Sequence, residues 1–257
     1  MRSARQTVRA AAVIAGTATV VSLVSAMAAP AAPAEPSPSD RGEHSSLHVV
    51  PLDADRVQFV QLDEPAREAE VSGLWELMLP VSAFPDPYVV SDRSGQTAQR
   101  GLAALAGVPR DSRVTPAECA PAAVSDPVIV RTATAFDGGS SFTLVLSRTD
   151  DPLTDLEGQL TDCTFAKAVD GRGTSSSVTD ISVELLPPPM VSGDGALAYT
   201  RTVSRADSAA SSRQLVLATQ IGEYRVTAIA AQYEVGEPDA TMLHLLFTNA
   251  IDRVAGR

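Results

Sequence analysis

The side chains that could carry chemistry in this chain are few, and its histidines are the first candidates. There are three of them, His44, His48 and His244. A catalytic triad or a zinc site commonly uses an imidazole, because this group transfers protons near neutral pH and binds metals through a ring nitrogen. His44 and His48 lie in or beside a Pro- and Ala-rich segment, where we expect no rigid site. His244 has no histidine or carboxylate at ligand spacing around it, which favours an ordinary helix-surface residue.

Serine-rich and acidic segments offer two further chemistries. Gly138–Ser141 and Gly171–Thr174 do not match G-x-S-x-G or a phosphate-binding loop, and neither joins a strand to a helix, so we expect turns. The acidic run from Asp150 to Glu157 lacks the spacing of a calcium loop and is accounted for by the start of a helix. The sequence therefore predicts no catalytic, metal or cofactor site. A hydrolase that combines an unrecognised serine, an acidic residue and His244 stays as an alternative.

The first 28 residues have the pattern of a secretory signal peptide. Arg2, Arg5 and Arg9 give it a positive start, residues 10–24 are uncharged and mostly apolar, and residues 26–28 form a small-residue cleavage site. The apolar run is shorter and weaker than the roughly 20 apolar residues of a membrane span, and no cysteine follows it to accept a lipid. We expect a secreted chain, with a retained anchor as the alternative.

Composition and charge restrict the partners and the domain count. Lys and Arg total 20 against 31 Asp and Glu, which gives a net charge of -11. Phosphate backbones and anionic lipid surfaces would be repelled, so we expect no nucleic-acid partner. We also expect no stable membrane span after signal cleavage. Residues 29–46 are rich in Ala, Pro and Ser and predict a flexible tether. A single domain is expected over residues 47–257.

The two cysteines, Cys119 and Cys163, are the only thiols of the chain. An even number of cysteines in an exported chain indicates a disulfide bond. Redox-active thiols are the alternative, but the pair lacks the C-x-x-C spacing, and no basic cluster lies nearby to lower a thiol pKa. We therefore expect one structural disulfide, for which the chain-entropy model gives about 4 kcal/mol of stabilisation.

The elements that position the first cysteine begin with two helices. Apolar residues near the 3.6-residue period predict a helix over Glu68–Leu79, with Trp75 in the core. A second short helix is expected over Gln96–Ala106 and ends at Gly107. Tyr88–Val90, which lies between the two helices, should be extended because prolines precede it.

Beyond Cys119 the apolar period changes to two, which predicts strands. A hairpin is expected from Val128–Ala135 and the alternating residues 142–147, followed by a helix capped by Asp151 that ends just before Cys163. Four more strands predict an antiparallel meander, over 180–185, 197–203, 215–221 and 224–231. A last helix begins at Asp239 and carries one apolar stripe. The expected fold class is α+β, with an antiparallel sheet of about five to six strands, three to four helices and one disulfide.

Four short motifs, taken in order, give a resemblance to a known family. They are Leu77-Met78-Leu79-Pro80 with Phe84-Pro85, Pro116-Ala117-Glu118-Cys119, Cys163 after a short helix, and Gln220-Ile221-Gly222-Glu223-Tyr224-Arg225-Val226. Over roughly residues 68–255 the chain resembles the actinobacterial secreted sensor-type domains similar to the extracellular domain of the mycobacterial kinase PknH. The resemblance implies a disulfide-tied antiparallel sheet with helices, a cleft for an unidentified ligand and no enzyme activity. The PknH domain has two bridges, so only Cys119 and Cys163 carry over, as structural residues.

Together these observations predict a secreted, non-catalytic ligand-binding or sensor-like domain of the cell envelope. Its expected partner is an unknown small molecule, a wall component or an envelope protein. The alternatives are a carrier that shields a hydrophobic envelope molecule, and the serine hydrolase named above. A deep apolar cavity would favour the carrier, a shallow polar cleft the sensor, and a converging Ser-His-acid group the enzyme.

Overall fold

The computed structural model describes residues 64–124, 126–171, 177–206 and 211–256. The predicted signal peptide (1–28), the tether (29–46), the first residues of the expected domain (47–63) and most of the segment 171–174 lie outside the described residues. In the described part, four α-helices accompany a nine-stranded antiparallel sheet. The expected α+β class is thus confirmed, whereas the expected five to six strands were too few.

The helices and strands have the following bounds. The helices are α1 (Glu64–Leu77), α2 (Gly95–Leu105), α3 (Leu153–Asp162) and α4 (Ala240–Val254). The strands are β1 (Tyr88–Ser94), β2 (Ser112–Thr115), β3 (Val128–Ala135), β4 (Ser140–Arg148), β5 (Phe165–Asp170), β6 (Ser177–Leu186), β7 (Ala196–Arg205), β8 (Ser211–Ile221) and β9 (Tyr224–Gln232). Their order across the sheet is β1-β3-β4-β9-β8-β7-β6-β5-β2, so β1 and β2 form its two edges.

Three strands explain the difference in count. β1 and β2 pair on one side only, with β3 and β5 respectively, and β2 has four residues. β1 is exposed or half-buried along its whole length, so its sequence lacks the apolar alternation of a strand with a buried face. β5 has six residues and is separated from the end of α3 by two residues. Edge strands and short strands carry the weakest pattern, which is why the sequence predicts the middle of the sheet better than its ends.

The predicted hairpin and meander are present in the described residues. β3 pairs with β4 from Val128 opposite Ser147 to Thr134 opposite Ser141. β6, β7, β8 and β9 follow one another as antiparallel neighbours. The turn between β8 and β9 has two residues, and Gly222 takes a φ of +56°, which favours glycine.

One face of the sheet is covered by α1 and α4, and we call it the core face. Its largest fully buried side chains on α4 are Leu243, Leu246 and Phe247, which pack with Leu144 of β4 and further apolar residues of the central strands. The start of α4 is as predicted, because the Asp239 carboxylate accepts a hydrogen bond of 2.9 Å from the Met242 amide. Burial of this apolar face is the main source of stability expected here.

The opposite face carries α2 and α3, and we call it the cleft face. α2 follows edge strand β1 and precedes edge strand β2, so the chain from α2 to β2 passes along this face from one edge of the sheet to the other. It ends as predicted at Gly107, with a φ of +86°, and the Val108 amide donates to the Ala103 carbonyl at 2.9 Å, as in a Schellman motif. A Cβ at Gly107 would lie 2.8 Å from the Val203 Cγ1, so the helix end is pressed against β7.

A disulfide joins Cys119 and Cys163, the pair that the sequence predicts, with 5.4 Å between the Cα atoms. Cys119 closes a single 3-10 turn after β2, and Cys163 follows the last turn of α3. The Gln159 amide Nε2 strengthens the same joint, because it donates to the backbone carbonyls of Glu118 and Ala120 at 3.2 and 2.8 Å. The bridge therefore fixes the segment after edge strand β2 to the helix on the cleft face.

Candidate functional site

A cleft of about 350 Å³ lies on the cleft face, between α2 and the strands β1, β3 and β4. α2 gives it an apolar wall of Ala98, Leu102 and Leu105. The opposite wall is rich in hydroxyl groups, and we call it the hydroxyl floor: Ser91, Thr132, Thr134, Ser141, Thr143, Ser212 and Tyr233. Among the described residues that line the cleft, none is histidine, cysteine, aspartate or glutamate, and the charged one is Arg93.

The hydroxyl floor coincides with a change of residue type along β3 and β4. On the cleft face, β3 presents Val128 and Val130 and then Thr132, while β4 presents Val145 and then Thr143. The valines pack in an apolar cluster with α2, and the threonines begin where the cleft opens. Thr143 is only 3% exposed, so it is a polar residue on a covered face rather than part of a wet one.

The hydroxyls of the floor are partly paired with each other. Thr132 Oγ1 and Thr143 Oγ1 lie 3.2 Å apart, and Ser141 Oγ lies 3.2 Å from the Tyr233 hydroxyl. A hydroxyl has one hydrogen to donate and two lone pairs that accept, so each pair uses one of its two hydrogens. At least one donor and several acceptor positions per pair therefore stay available to a ligand.

Arg93 lies at the end of β1, on the same face as its partner in register, the buried Val130. It makes no ion pair or hydrogen bond with any other described residue. A Cβ built on Gly101 of α2 would lie 3.3 Å from Arg93 Nη1, so the guanidinium group rests against the helix where glycine leaves room. The neighbouring Asp92 points to the core face and pairs with Arg131 at 2.6 Å instead. Arg93 therefore offers an unneutralised positive charge at the cleft.

Among the described residues, His244 and the buried serine that lines the cleft are not brought together. His244 is exposed on α4, which covers the core face, whereas the buried Ser141 belongs to the cleft face. Ser140 bonds to the Tyr88 hydroxyl at 2.8 Å and belongs to the start of β4. In the described residues, no group of three His, Cys, Asp or Glu side chains could hold a metal ion.

The predicted cap of α3 is wrong in one detail. Pro152, with an extended φ of -70° and ψ of 149°, occupies the cap position of α3, and no side chain caps the helix there. The Asp151 amide instead donates to the Thr149 hydroxyl at 3.1 Å. The prediction placed the start of α3 one residue too early, because a proline that suits the first helical turn also suits the extended position before it.

The motif Gln220–Val226 forms a structural joint at the end of β8 and β9 that lies away from the cleft. The Gln220 side chain donates to the Thr149 carbonyl at 3.1 Å and accepts from Arg225 Nε at 3.2 Å. Arg225 also donates to the Asp151 carbonyl. Burial lowers the pKa of the Arg225 guanidinium, and the nearby carboxylate of Asp151 partly opposes this shift. The motif thus holds the segment that leads into α3.

Two charged groups complete this joint. Arg148 Nε donates to the Glu223 carboxylate at 2.8 Å, and this hydrogen bond raises the pKa of the Arg148 guanidinium. Burial, followed by a hydrogen bond to Glu223, raises the pKa of the Tyr224 hydroxyl. These shifts follow from packing and ion pairing at a turn, and nothing in the joint lines the cleft.

The resemblance implied a cleft, but the residues that line it were not identified from the sequence. Along β4, an apolar set alternates with a second set that contains Thr143 and Ser147. Such an alternation usually indicates that the second face of the strand is solvated. Only the position of α2 shows that this second face is also covered. A usable signal exists in hindsight, since Val145 interrupts the polar set and marks where coverage begins.

Comparisons with known proteins give little further information. No protein-family model matches the chain, and no curated protein matches it. One solved structure similar to it is that of an uncharacterized protein from Mycobacterium smegmatis, described as an Rv0999 ortholog. The likeness has a TM-score of 0.42 and 17% sequence identity, and it covers 72% of this chain and 95% of the other. Within the described residues, no helix has the length and apolar character needed to cross a membrane.

Proposed function

We propose that this protein is a secreted, non-catalytic domain of the cell envelope that binds a small polar ligand in the cleft between α2 and the sheet. The single observation that carries the proposal is the hydroxyl floor, a set of Ser, Thr and Tyr side chains that face an open volume, of which Ser141 and Thr143 are buried. Ligand sites of about 300 to 1,000 Å³ with a mainly apolar wall and a few convergent polar groups are the usual form of a small-molecule site. The cleft, at about 350 Å³, is at the small end of that range.

The energetics of the floor support a role in binding. Valine at Thr143 or Thr132 would fill nearly the same volume without a hydroxyl group to desolvate, and the same strands already use Val145 and Val130 one step along. Burying a hydroxyl without full compensation costs about 1–3 kcal/mol in protein mutational data. A ligand that completes the hydrogen bonds of these groups accounts for their presence on a covered face.

The export pattern of residues 1–28, the disulfide and the resemblance to extracellular sensor-type domains support the proposed location. Disulfides persist mainly in oxidising compartments outside the cytosol. We expect the mature protein in the culture medium or envelope fraction to begin at Ala29. Mass spectrometry of its N-terminal peptide tests this, and an intact residue 1–28 segment on the exported protein would contradict cleavage.

Binding can be tested by two-dimensional NMR with a library of small polar molecules. We expect amide shifts from binders to cluster on β1, β3, β4 and α2, and Thr143→Val to weaken those binders. Thr202→Val is the matched control, because Thr202 lies on β7 in the sheet, on the face opposite to the cleft-lining Val203. Shifts elsewhere, or equal effects of both variants, would contradict the proposal.

The two alternatives have distinct outcomes in the same preparation. A carrier of hydrophobic cargo predicts a copurifying lipid in native mass spectrometry, and an apolar ligand that displaces it. A hydrolase predicts turnover that depends on a cleft serine such as Ser141. The hydroxyl groups of the cleft favour binding of a polar ligand over both the carrier and the hydrolase. Detection of a copurifying lipid or of serine-dependent turnover would replace the proposed function.

A further inference from the structure

The charge of the cleft is opposite to that of the protein. The whole chain carries 31 acidic against 20 basic side chains, yet the described residues that line the cleft include Arg93 and no carboxylate. Acidic side chains outnumber basic ones in the chain, so most of its surface repels an anion. The cleft contains an unpaired arginine and no acidic residue, so it attracts an anion locally. The charge pattern therefore selects for a ligand with one acidic group.

Arg93 is exposed at the cleft, so its guanidinium group is accessible to such a ligand. The side chain rests on α2 at Gly101, where a Cβ would lie 3.3 Å from Nη1. Arg131, on the core face, is by contrast paired within the protein. It forms an ion pair with the Asp92 carboxylate at 2.6 Å and lies 5.4 Å from the Trp75 ring centre. A guanidinium group presents a planar fork of donors that matches a carboxylate in two parallel hydrogen bonds. Arg93 has this fork available.

The rest of the cleft complements a hydroxylated ring. Its hydroxyl floor offers donors and acceptors at several positions, and its wall on α2 is apolar at Ala98, Leu102 and Leu105. A pyranose has hydroxyl groups around its edge and C–H groups on its faces, so it can meet both walls at once. Resting on the proposed binding function, we propose that the ligand is a sugar acid of about monosaccharide size, with its carboxylate on Arg93 and its hydroxyls on the floor.

A carboxylate fits the site better than a phosphate. A phosphate monoester carries about -1.5 to -2 charges near neutral pH, whereas a sugar carboxylate carries one. The single arginine balances one charge, and no second cation lines the cleft in the described part of the chain. Glucose 6-phosphate therefore serves as the test of this choice.

The experiment compares glucuronate, glucose and glucose 6-phosphate on the oxidised protein by NMR titration and calorimetry. We expect glucuronate to bind most tightly, with shifts at Arg93 and the β3–β4 amides, and its affinity to fall with added salt. Arg93→Gln should weaken glucuronate about 10- to 150-fold, since hydrogen bonds to charged groups contribute about 1.5–3 kcal/mol, while binding of glucose stays unchanged. Arg113→Gln is the charge-matched control, because Arg113 is exposed on the other edge strand.

A milder variant protects the test against loss of folding. Gly101→Ala places a Cβ against the Arg93 guanidinium and should weaken glucuronate several-fold without affecting glucose. Equal binding of glucose and glucuronate in the cleft, unaffected by Arg93→Gln, would overturn the sugar-acid assignment and leave the binding function intact. Preference for glucose 6-phosphate would overturn the carboxylate. If none of the three sugars perturbs the cleft, the assignment fails, and the polar library decides the binding function independently.

Discussion

The two faces of the sheet use the same strands for different ends. On the core face, β4 buries Phe142, Leu144 and Leu146 under α1 and α4. On the cleft face, the intervening residues include Ser141 and Thr143, which are buried to the same degree but face an open volume under α2. Alternate residues of β4 thus contribute to the hydrophobic core on one face and to the proposed binding site on the other.

The arginines of the two faces show the same division. On the core face, Asp92 neutralises the charge of Arg131, and Arg131 also donates a hydrogen bond to the Leu79 carbonyl. Arg93 follows Asp92, the residue of β1 in register with Arg131, and has no partner among the described residues. The sugar-acid proposal therefore places the ligand's charge on the exposed Arg93 and not on Arg131. Substitutions that separate the two faces can test this comparison.

The largest effect is expected on the cleft face, from loss of the disulfide. Replacing both cysteines, Cys119→Ser with Cys163→Ser, releases the closed loop in the unfolded state, for which the chain-entropy model gives about 4 kcal/mol. Urea denaturation of the oxidised protein and the double variant measures the difference. Reduction of the native protein should give the same loss, and a change below about 1 kcal/mol would show that the bridge does not hold this face.

The next largest effect is expected on the core face, from Leu144→Ala. Leu144 is 2% exposed, and removal of its side chain leaves a cavity in the cluster under α4. Such truncations destabilise by about 2–5 kcal/mol, and we expect about 3. Chemical denaturation measures the stability, and the NMR titration measures ligand affinity. Loss of affinity in the folded variant would contradict the separation of the two faces.

A smaller effect is expected where α2 meets the sheet, from Gly107→Ala. The new Cβ would lie 2.8 Å from Val203 Cγ1 and 3.0 Å from Ile181 Cγ1, at a φ of +86°. Crowding and a left-handed alanine together should destabilise by about 2 kcal/mol. Gly158→Ala on α3 is the control, because its Cβ meets nothing within 4 Å, and it should raise stability slightly. Equal results for both glycines would contradict the close docking of α2.

The smallest effect on stability is expected from Thr143→Val, beside Leu144 on β4. Valine keeps the volume and removes one hydrogen bond to Thr132, so the free energy of unfolding should change by less than about 1 kcal/mol. Ligand affinity should fall in the same variant. A stability loss as large as that of Leu144→Ala would mean that the hydroxyl floor is structural.

The elements with a clear two-residue or 3.6-residue period were predictable, and α4 is the clearest case. Asp239 caps it and its buried stripe follows the sequence pattern. The β8–β9 turn was also predictable, because Gly222 supplies the backbone conformation that such a turn requires. Local rules determine both features.

The candidate site was not predictable because it depends on contacts between distant segments. Thr143 looks solvated in sequence until α2 is known to cover it, and Arg93 gains meaning only next to Gly101 and the hydroxyl floor. The two edge strands were missed for another reason, since β1 has no buried face that would give an apolar alternation and β2 has only four residues.

The path of the chain from one edge strand through α2 to the other has a consequence for the order of folding. The β8–β9 hairpin closes over two residues. By contrast, β2 and β5 are separated in the chain by the β3–β4 hairpin and α3, so their pairing closes a much longer loop. Contacts between nearby residues form faster than distant ones, so the meander should gain structure first and both edges last. Pulse-labelled hydrogen exchange should therefore protect the amides of Ala228 before those of Ala168. Simultaneous protection would instead indicate that the edges take part in the nucleus.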